Sequence, residues 1–478
     1  MGLVLTNTLS GRKEPLEPRT PGNVRLYWCG VTVYSRSHIG HARAFITADV
    51  LCRYLRARGQ GVTFVRNFTD IEDKIIRRAT EEGIAPEALA QREIAAFADD
   101  IAWLGCLPPT HEPCATAHIA DMLDMTQRLI DGGFAYAVAG GSVYFRVRRF
   151  EGYGKLSHQR IDDMSVGEEI DSEKEDPHDF ALWKAAKPGE PSWSSPWGPG
   201  RPGWHIECSA MAARFLGQPI DIHGGGTDLI FPHHENEIAQ SEAATGMPFA
   251  SLWMHNGMIT SGAEKMSKSL GNILRITEVA ERVPAEALRH LFLGTHYRTP
   301  LDFSSGRLED AARAHDRLYE ALARADESAG NSPAPLAVDG ALTGDLSPFL
   351  VEFCSAMDDD LNAARGLGLV FDRMRELNRS LDAGELAAAA MARDDLARAG
   401  AALGLFQERP AAFLETQRTR GRQKAGLSAE DIEAAIAARN DARKRKDFRE
   451  ADAIRAHLKD QGIVLEDTAS GTLWKVGS

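Results

Sequence analysis

An α/β fold is predicted for this chain: a Rossmann-like parallel-sheet domain with an inserted α+β subdomain, then a helical bundle and a small C-terminal α/β module. Three observations predict it. Apolar strands flank a helix-period segment near the N-terminus. A further strand and a glycine-rich stretch follow Gly203. Beyond Pro300 the pattern is helical until a closing hairpin. The domains are predicted at 1–300, with the insertion at about 75–203, then at 301–410 and 417–478.

Arg25-Leu26-Tyr27-Trp28 is apolar and aromatic-rich, reads as a buried strand, and runs into Cys29-Gly30. From Ala42 to Leu55 apolar residues recur at helical spacing; Gly59 and Gly61 stop the helix, and Val62-Thr63-Phe64-Val65 reads as a second strand. Strand, helix, strand makes a parallel sheet whose helix N-terminus is suited to anions. In the insertion, Pro86 to Leu104 and Ala115 to Ile130 read as amphipathic helices. Phe134 to Val138 and Ser142 to Val147 flank a Gly-Gly turn and predict a hairpin, while Lys187 to Gly203, rich in Pro, Gly and Trp, predicts a loop. Ile220-Asp221-Ile222 reads as a strand, with His223-Gly224-Gly225-Gly226-Thr227-Asp228 as the loop after it. Leu308 to Ala325 is helical, Gly330 to Pro335 is a linker, and further helices run from about Leu346 to Leu405. Gly462 to Thr468 and Gly471 to Trp474 form the closing hairpin.

With 478 residues the chain holds more than one domain, and 43% hydrophobic content suits a globular protein. No apolar run approaches spanning length and no signal peptide is present, so no membrane association and a cytoplasmic location are expected. Six cysteines without tight pairing fit a reducing compartment. The net charge of −13 argues against a uniformly basic nucleic-acid binder, but not against a localised basic patch.

Two motifs carry chemistry. His38-Ile39-Gly40-His41 sits where the first helix begins, so free N–H groups and a positive dipole end face an anion, and Gly40 keeps no side chain in the way. Far downstream, Thr260-Ser261-Gly262-Ala263-Glu264 leads into Lys265-Met266-Ser267-Lys268-Ser269, two compact charges of the kind that stabilise an α-phosphate. Alone, the first reads as two surface histidines and the second as a solvated basic turn. Together, in this order, they resemble the two nucleotide-binding signatures of the class I aminoacyl-tRNA synthetases. The resemblance covers nearly the whole chain, and its details point to the cysteinyl-tRNA synthetase family.

That resemblance implies activation of L-cysteine by ATP, with Mg2+, and transfer to the 3′ end of tRNA(Cys), by a cytoplasmic enzyme expected as a monomer. It implies catalytic roles for His38, His41, Lys265 and Lys268, with Lys268 contacting ATP, and places Gly40, Gly226 and Asp228 at the nucleotide. It carries Cys29, Gly30, Thr32, Asn67, Thr69, Trp204 and His223 to the cysteinyl adenylate. Four residues match the family's zinc ligands one by one: Cys29, Cys208, His233 and Glu237. Two thiolates, an imidazole and a carboxylate are a coherent zinc shell. Their spacing is not that of a zinc finger, and spacing alone leaves the cysteines open as small buried hydrophobes. His233 and Glu237 share a face at i, i+4, whereas His234 and Glu235 are expected to point elsewhere. Zinc would take the soft thiolate of cysteine over the hydroxyl of serine, so no editing site is needed.

The resemblance also sets the tRNA acceptor end against the insertion and the anticodon stem against the helical bundle. Asp359-Asp360-Leu361-Asn362-Ala363 departs from the family pattern, with Leu and Ala where Phe and Thr are expected. From Gln417 to Asp460 there are 12 Lys/Arg against 8 Asp/Glu, and Arg443-Lys444-Arg445-Lys446 places four basic residues in a row. This resembles an anticodon-binding end. Two rival readings are a cysteine:amino-sugar ligase of mycothiol synthesis, which lacks such an end, and a non-catalytic zinc-containing RNA-binding protein, which would not need intact His38, His41, Lys265 and Lys268. A lipase-type oxyanion hole at His223-Gly224-Gly225-Gly226 lacks its Gly-x-Ser-x-Gly partner.

Overall fold

A computed structural model describes residues 2–164, 173–261, 264–265, 274–468 and 471–476. The chain forms two compact units: Met1–Ser304 with Ala337–Val370 and Arg398–Leu405, and Ser305–Leu336 with Phe371–Ala397 and Phe406–Ser478.

The first unit opens with an antiparallel pair, β1 (Val4–Asn7) and β2 (Arg12–Pro15). β3 (Asn23–Thr32), α1 (Ile39–Ala57) and β4 (Gly61–Thr69) form the predicted strand–helix–strand unit. β3 and β4 run parallel from Asn23 opposite Gly61 to Thr32 opposite Thr69, with an irregularity between Trp28 and Val31. At that irregularity a Cβ on Gly30 would lie 1.6 Å from the Asn67 carbonyl oxygen, so only glycine permits the close approach. The insertion follows: α2 (Asp73–Glu82), α3 (Pro86–Trp103), α4 (Ile119–Asp131) and an antiparallel sheet of β5 (Ala135–Ala137), β6 (Val143–Phe145), β7 (Phe180–Ala185) and β8 (Gly200–Pro202) in that order. Two boundaries differ from the sequence pattern. Ala115–His118 takes a tighter 3-10 turn before α4. The stretch read as a loop up to Gly203 ends in β8, where Pro202 lies opposite the buried Trp183.

α5 (Trp204–Leu216), β9 (Ile220–Gly226), α6 (Glu235–Thr245) and β10 (Ala250–Asn256) complete a four-stranded parallel sheet of order β10-β9-β3-β4. β9 does not stop at Ile222 as the pattern suggested. It continues through Gly226, because a Cβ on Gly224 would lie 2.4 Å from the Trp28 ring and glycine lets the strand pass under the indole. Next come β11 (Ile259–Ser261), β12 (Glu264–Lys265), α7 (Ile276–Ala280), α8 (Ala285–Leu293) and β13 (Leu301–Asp302), with β11 between β12 and β13. Tyr27, Trp28 and Trp253 are fully buried in the core. On α1 the buried Asp49 carboxylate accepts from Arg53 Nε at 2.8 Å, Arg289 Nη1 at 2.6 Å and Leu107 N at 2.7 Å, tying α1 to α8.

In the second unit, α9 (Ser305–Ala329) stacks Tyr319 on Phe413, centroids 3.8 Å apart. α10 (Pro348–Asp358) returns to the first unit; α11 (Ala363–Asp382) and α12 (Leu386–Leu403) each divide between the two. α13 (Pro410–Ala425), α14 (Ala429–Lys444), α15 (Phe448–Asp460) and the antiparallel pair β14 (Ile463–Thr468) and β15 (Gly471–Val476) end the chain. Ile432, Ile436, Leu458, Ile463 and Leu465 give this end its own small core. No helix among the described residues is long and apolar enough to cross a membrane.

Candidate active site and metal cluster

Cys29 leaves the sheet at the β3 irregularity, Cys208 projects from the second turn of α5, and His233 and Glu237 come from the turn entering α6 and from α6 itself. The four converge. Cys29 Sγ lies 3.8 Å from Cys208 Sγ and 3.4 Å from Glu237 Oε1, and His233 Nε2 is 3.0 Å from Glu237 Oε1. Their ligating atoms all lie within 4.8 Å of one another, and every member is buried. A second set, Cys29, His223, His234 and Glu237, meets the same condition. His234 therefore does not point elsewhere as its sequence position suggested: its Nε2 is 3.3 Å from Cys29 Sγ. The cause is local. Residues Ile230–His234 form a wider turn with Phe231 extended (φ −135°, ψ 134°), so helical phase cannot be extrapolated back from Glu237. Glu235 does turn away, accepting from Leu156 N at 3.1 Å and Ser157 N at 2.8 Å.

Around the cluster lies a ring of histidines that sequence reasoning did not assign. His234 Nδ1 meets His255 Nε2 at 2.7 Å, His255 Nδ1 meets Thr8 Oγ1 at 2.7 Å, and His205 Nδ1 lies 3.0 Å from His233 Nδ1. For His255 a signal existed: it shares a face of β10 with the buried Trp253 by period-two alternation. Burial, with Cys208 and Glu237 adding, pushes the Cys29 thiol well up. Cys208, which accepts from Cys29, is pulled down to about 6 against its burial. For His233, burial is outweighed by Glu237 and Cys208, and its pKa rises to about 10. Glu237 is held well below the carboxylate range because His223 and His233 overcome burial. Burial drives His234 and His205 well below the usual imidazole value, and His255 to about 3, leaving them neutral. Two thiols, an imidazole and a carboxylate gathered in one buried pocket, with further imidazoles behind them, make a donor set that a divalent cation can use by displacing the protons of Cys29 and His233.

Several of the other sequence-assigned residues sit toward the C-terminal ends of β3 (Gly30, Thr32), β4 (Asn67, Thr69) and β9 (Gly226), where open parallel sheets bind ligands. Asn67 Oδ1 accepts from Gly30 N at 2.9 Å and lies 3.6 Å from Cys208 Sγ. Thr69 sits opposite Thr32 and donates to the buried Glu207 at 2.6 Å. Trp204 stacks on His233, centroids 4.3 Å apart, and His223 Nε2 is 3.2 Å from Glu237 Oε2. Asp228 lies in a 3-10 turn after Gly226, where a Cβ would meet its Oδ1 at 2.5 Å. His38 caps α1 by accepting from Gly40 N at 3.2 Å, and its ring stacks on His41 at 3.7 Å. The first turn of α1 carries no acidic residue, so its dipole end is unopposed locally. The Lys265 backbone pairs with Thr260 across β11 and β12. Lys268 lies outside the described residues.

Residues 15–313 match the family described as "tRNA synthetases class I (C) catalytic domain", 352–407 the DALR domain, and 426–474 the cysteinyl-tRNA ligase anticodon binding domain. A cysteine–tRNA ligase of Geobacter sulfurreducens is 52% identical over 488 residues, covering 100% of both chains. One of Chromohalobacter salexigens is 52% identical over 472 residues, covering 98% of each. Among solved structures, a Mycobacterium tuberculosis methionyl-tRNA synthetase with methionyl-adenylate superposes with a TM-score of 0.56 at 15% identity, over 86% of this chain and 96% of that one. The LeuRS of an Agrobacterium radiobacter K84 ternary complex does so at 0.58 and 11%, over 85% and 86%. At such identities the two structures speak to the fold alone.

Proposed function

The chain belongs to the cysteine–tRNA ligase family of class I aminoacyl-tRNA synthetases, and we propose that Cys29, Cys208, His233 and Glu237 hold one Zn2+ that recognises substrate cysteine. The observation that carries this reading is the convergence of two thiols, an imidazole and a carboxylate in one buried pocket. That donor set fits a borderline-soft divalent ion. When bound, zinc supplies a soft centre that takes the thiolate of cysteine in preference to the hydroxyl of serine. Trp204, stacked on His233, and Asn67, beside Cys208, shape the space around the thiol.

In the proposed reaction, a carboxylate oxygen of L-cysteine attacks the α-phosphorus of ATP. The bond to the bridging oxygen breaks and pyrophosphate leaves, its charge being of the kind that Mg2+ bound with ATP would offset. His38, Gly40 and His41 present the N-terminus of α1 to the phosphates, Lys265 and Lys268 offset the charge that builds on them, and Gly226 and Asp228 receive the ribose. A ribose hydroxyl of the terminal adenosine of tRNA(Cys) then attacks the acyl carbon, losing its proton as AMP departs. Thr32, Thr69, Gly30 and His223 line the adenylate in this scheme. No covalent enzyme nucleophile takes part; the chain positions reactants and stabilises charge. The working units are the domain at 1–300, a stem-contacting bundle at 301–410 and an anticodon-reading module at 417–478, in a monomeric, cytoplasmic enzyme. ATP–pyrophosphate exchange with a panel of amino acids tests the reading. Exchange should depend on cysteine and be silent with serine; equal exchange with both would overturn it.

A further inference from the structure

α1 carries, one turn behind its phosphate-facing end, a buried cation that no role above uses. Arg43 is 1% exposed, and among the described residues no carboxylate pairs with it. Its guanidinium spends its donors on backbone carbonyls instead. Nη1 donates to Met258 O at 2.8 Å, and Nη2 reaches Tyr297 O at 3.3 Å, His296 O at 3.4 Å and Thr299 O. Those carbonyls belong to two segments that cross at close range. Gly257 N donates to Tyr297 O at 2.8 Å, and a Cβ on Gly257 would lie 2.6 Å from Arg298 O. Immediately beyond the crossing, β11 pairs with β13 and with β12, which ends at Lys265. The far side of the 296–298 segment is clamped too. Asp360, in a left-handed conformation (φ 61°), accepts from Tyr297 Oη at 2.8 Å and Arg298 Nε at 2.9 Å, and from Thr6 N at 2.8 Å.

We propose that Arg43 is a positioning residue for adenylate formation, locking the helix that presents His38 and His41 to the base of the strand pair that leads into the lysine signature. A charge buried with only carbonyl partners is costly, and burial draws its pKa down to about 10, so it remains a full cation at neutral pH. The planar fork is what the site uses: it bridges carbonyls on two chain segments at once, which an ammonium on a flexible stem does not reproduce. The two halves of the phosphate site come from distant parts of the chain. A displacement of about 1 Å between them costs on the order of 10²-fold in rate.

This inference rests on the reading of the chain as an adenylate-forming ligase, and the test separates the two. Cysteine-dependent ATP–pyrophosphate exchange is measured for the parent, Arg43→Lys and Tyr297→Phe, with melting temperature and metal content alongside. A parent without cysteine-dependent exchange sinks the functional reading itself. With an active parent, Arg43→Lys should lose about 10- to 100-fold in kcat while the KM for cysteine stays within about twofold and metal content is unchanged. Parental kcat in Arg43→Lys, or a loss that merely tracks the folded fraction, overturns the proposal. Should Arg43→Lys not fold, Tyr297→Phe decides: it keeps the core but loosens the clamp on the segment Arg43 holds. A fall in kcat at constant cysteine KM supports the positioning role, and parental kinetics reject it.

Discussion

At the residue scale, the candidate metal cluster makes the sharpest statements. Replacing Cys208 or Cys29 by serine exchanges a soft thiolate for a poorly coordinating hydroxyl, so zinc content of the purified protein should fall well below one per chain by elemental analysis. His233→Ala should do the same. His234→Ala should be milder, weakening metal affinity by about 10- to 100-fold, because His234 stands behind Cys29 and is itself oriented by His255. The family resemblance, not spacing, is what singled out Cys29, Cys208, His233 and Glu237 as a group, and the structure brings these four together. The place of His234 was not legible in the sequence. The wide turn at Ile230–His234 rotates its ring back into the pocket, and an i, i+4 rule applied to α6 cannot see a turn that precedes regular helix.

At the element scale, α1 is held by charges that hydrophobic periodicity does not reveal. Asp49 is fully buried between Arg53 and Arg289, so removing the carboxylate strands two buried cations. Asp49→Ala should cost about 3–5 kcal/mol, read by chemical denaturation. The sign with pH follows from direction. Burial would raise the Asp49 pKa, but Arg289 and Arg53 more than offset it and hold it below the ordinary carboxylate value. Its contribution is therefore present above the ordinary carboxylate range and lost as pH falls through the folded-state value. Asp49→Asn should flatten the acid limb of the stability curve. Strands and helices were legible where side chains carry a period, as in β3, α1 and α9. They were not where glycine carries the strand: β9 runs through Gly224-Gly225-Gly226 because the Trp28 ring needs that space, a tertiary reason invisible to local pattern. β8 was missed likewise, since its strand character comes from pairing with β7.

At the scale of the whole molecule, the acidic chain ends in a module with its own small core and a basic run on its surface. Arg443 pairs with Asp467, Lys444 with Asp441 and Arg445 with Glu450, all exposed. Such surface pairs are worth little and can yield to phosphates. Deleting residues 427–478 should leave cysteine-dependent pyrophosphate exchange nearly unchanged and depress aminoacylation of tRNA(Cys), with the full-length enzyme losing charging steeply as salt rises. Equal charging by both proteins would remove tRNA binding from this module. Substrate selection by this chain turns on whether a metal in the Cys29/Cys208/His233/Glu237 pocket meets the substrate's sulfur. Absorption spectroscopy of the cobalt-substituted protein tests that directly. Added cysteine should strengthen the thiolate-to-metal charge-transfer band and serine should leave it unchanged; a spectrum indifferent to cysteine would remove the metal from substrate recognition and make it purely structural.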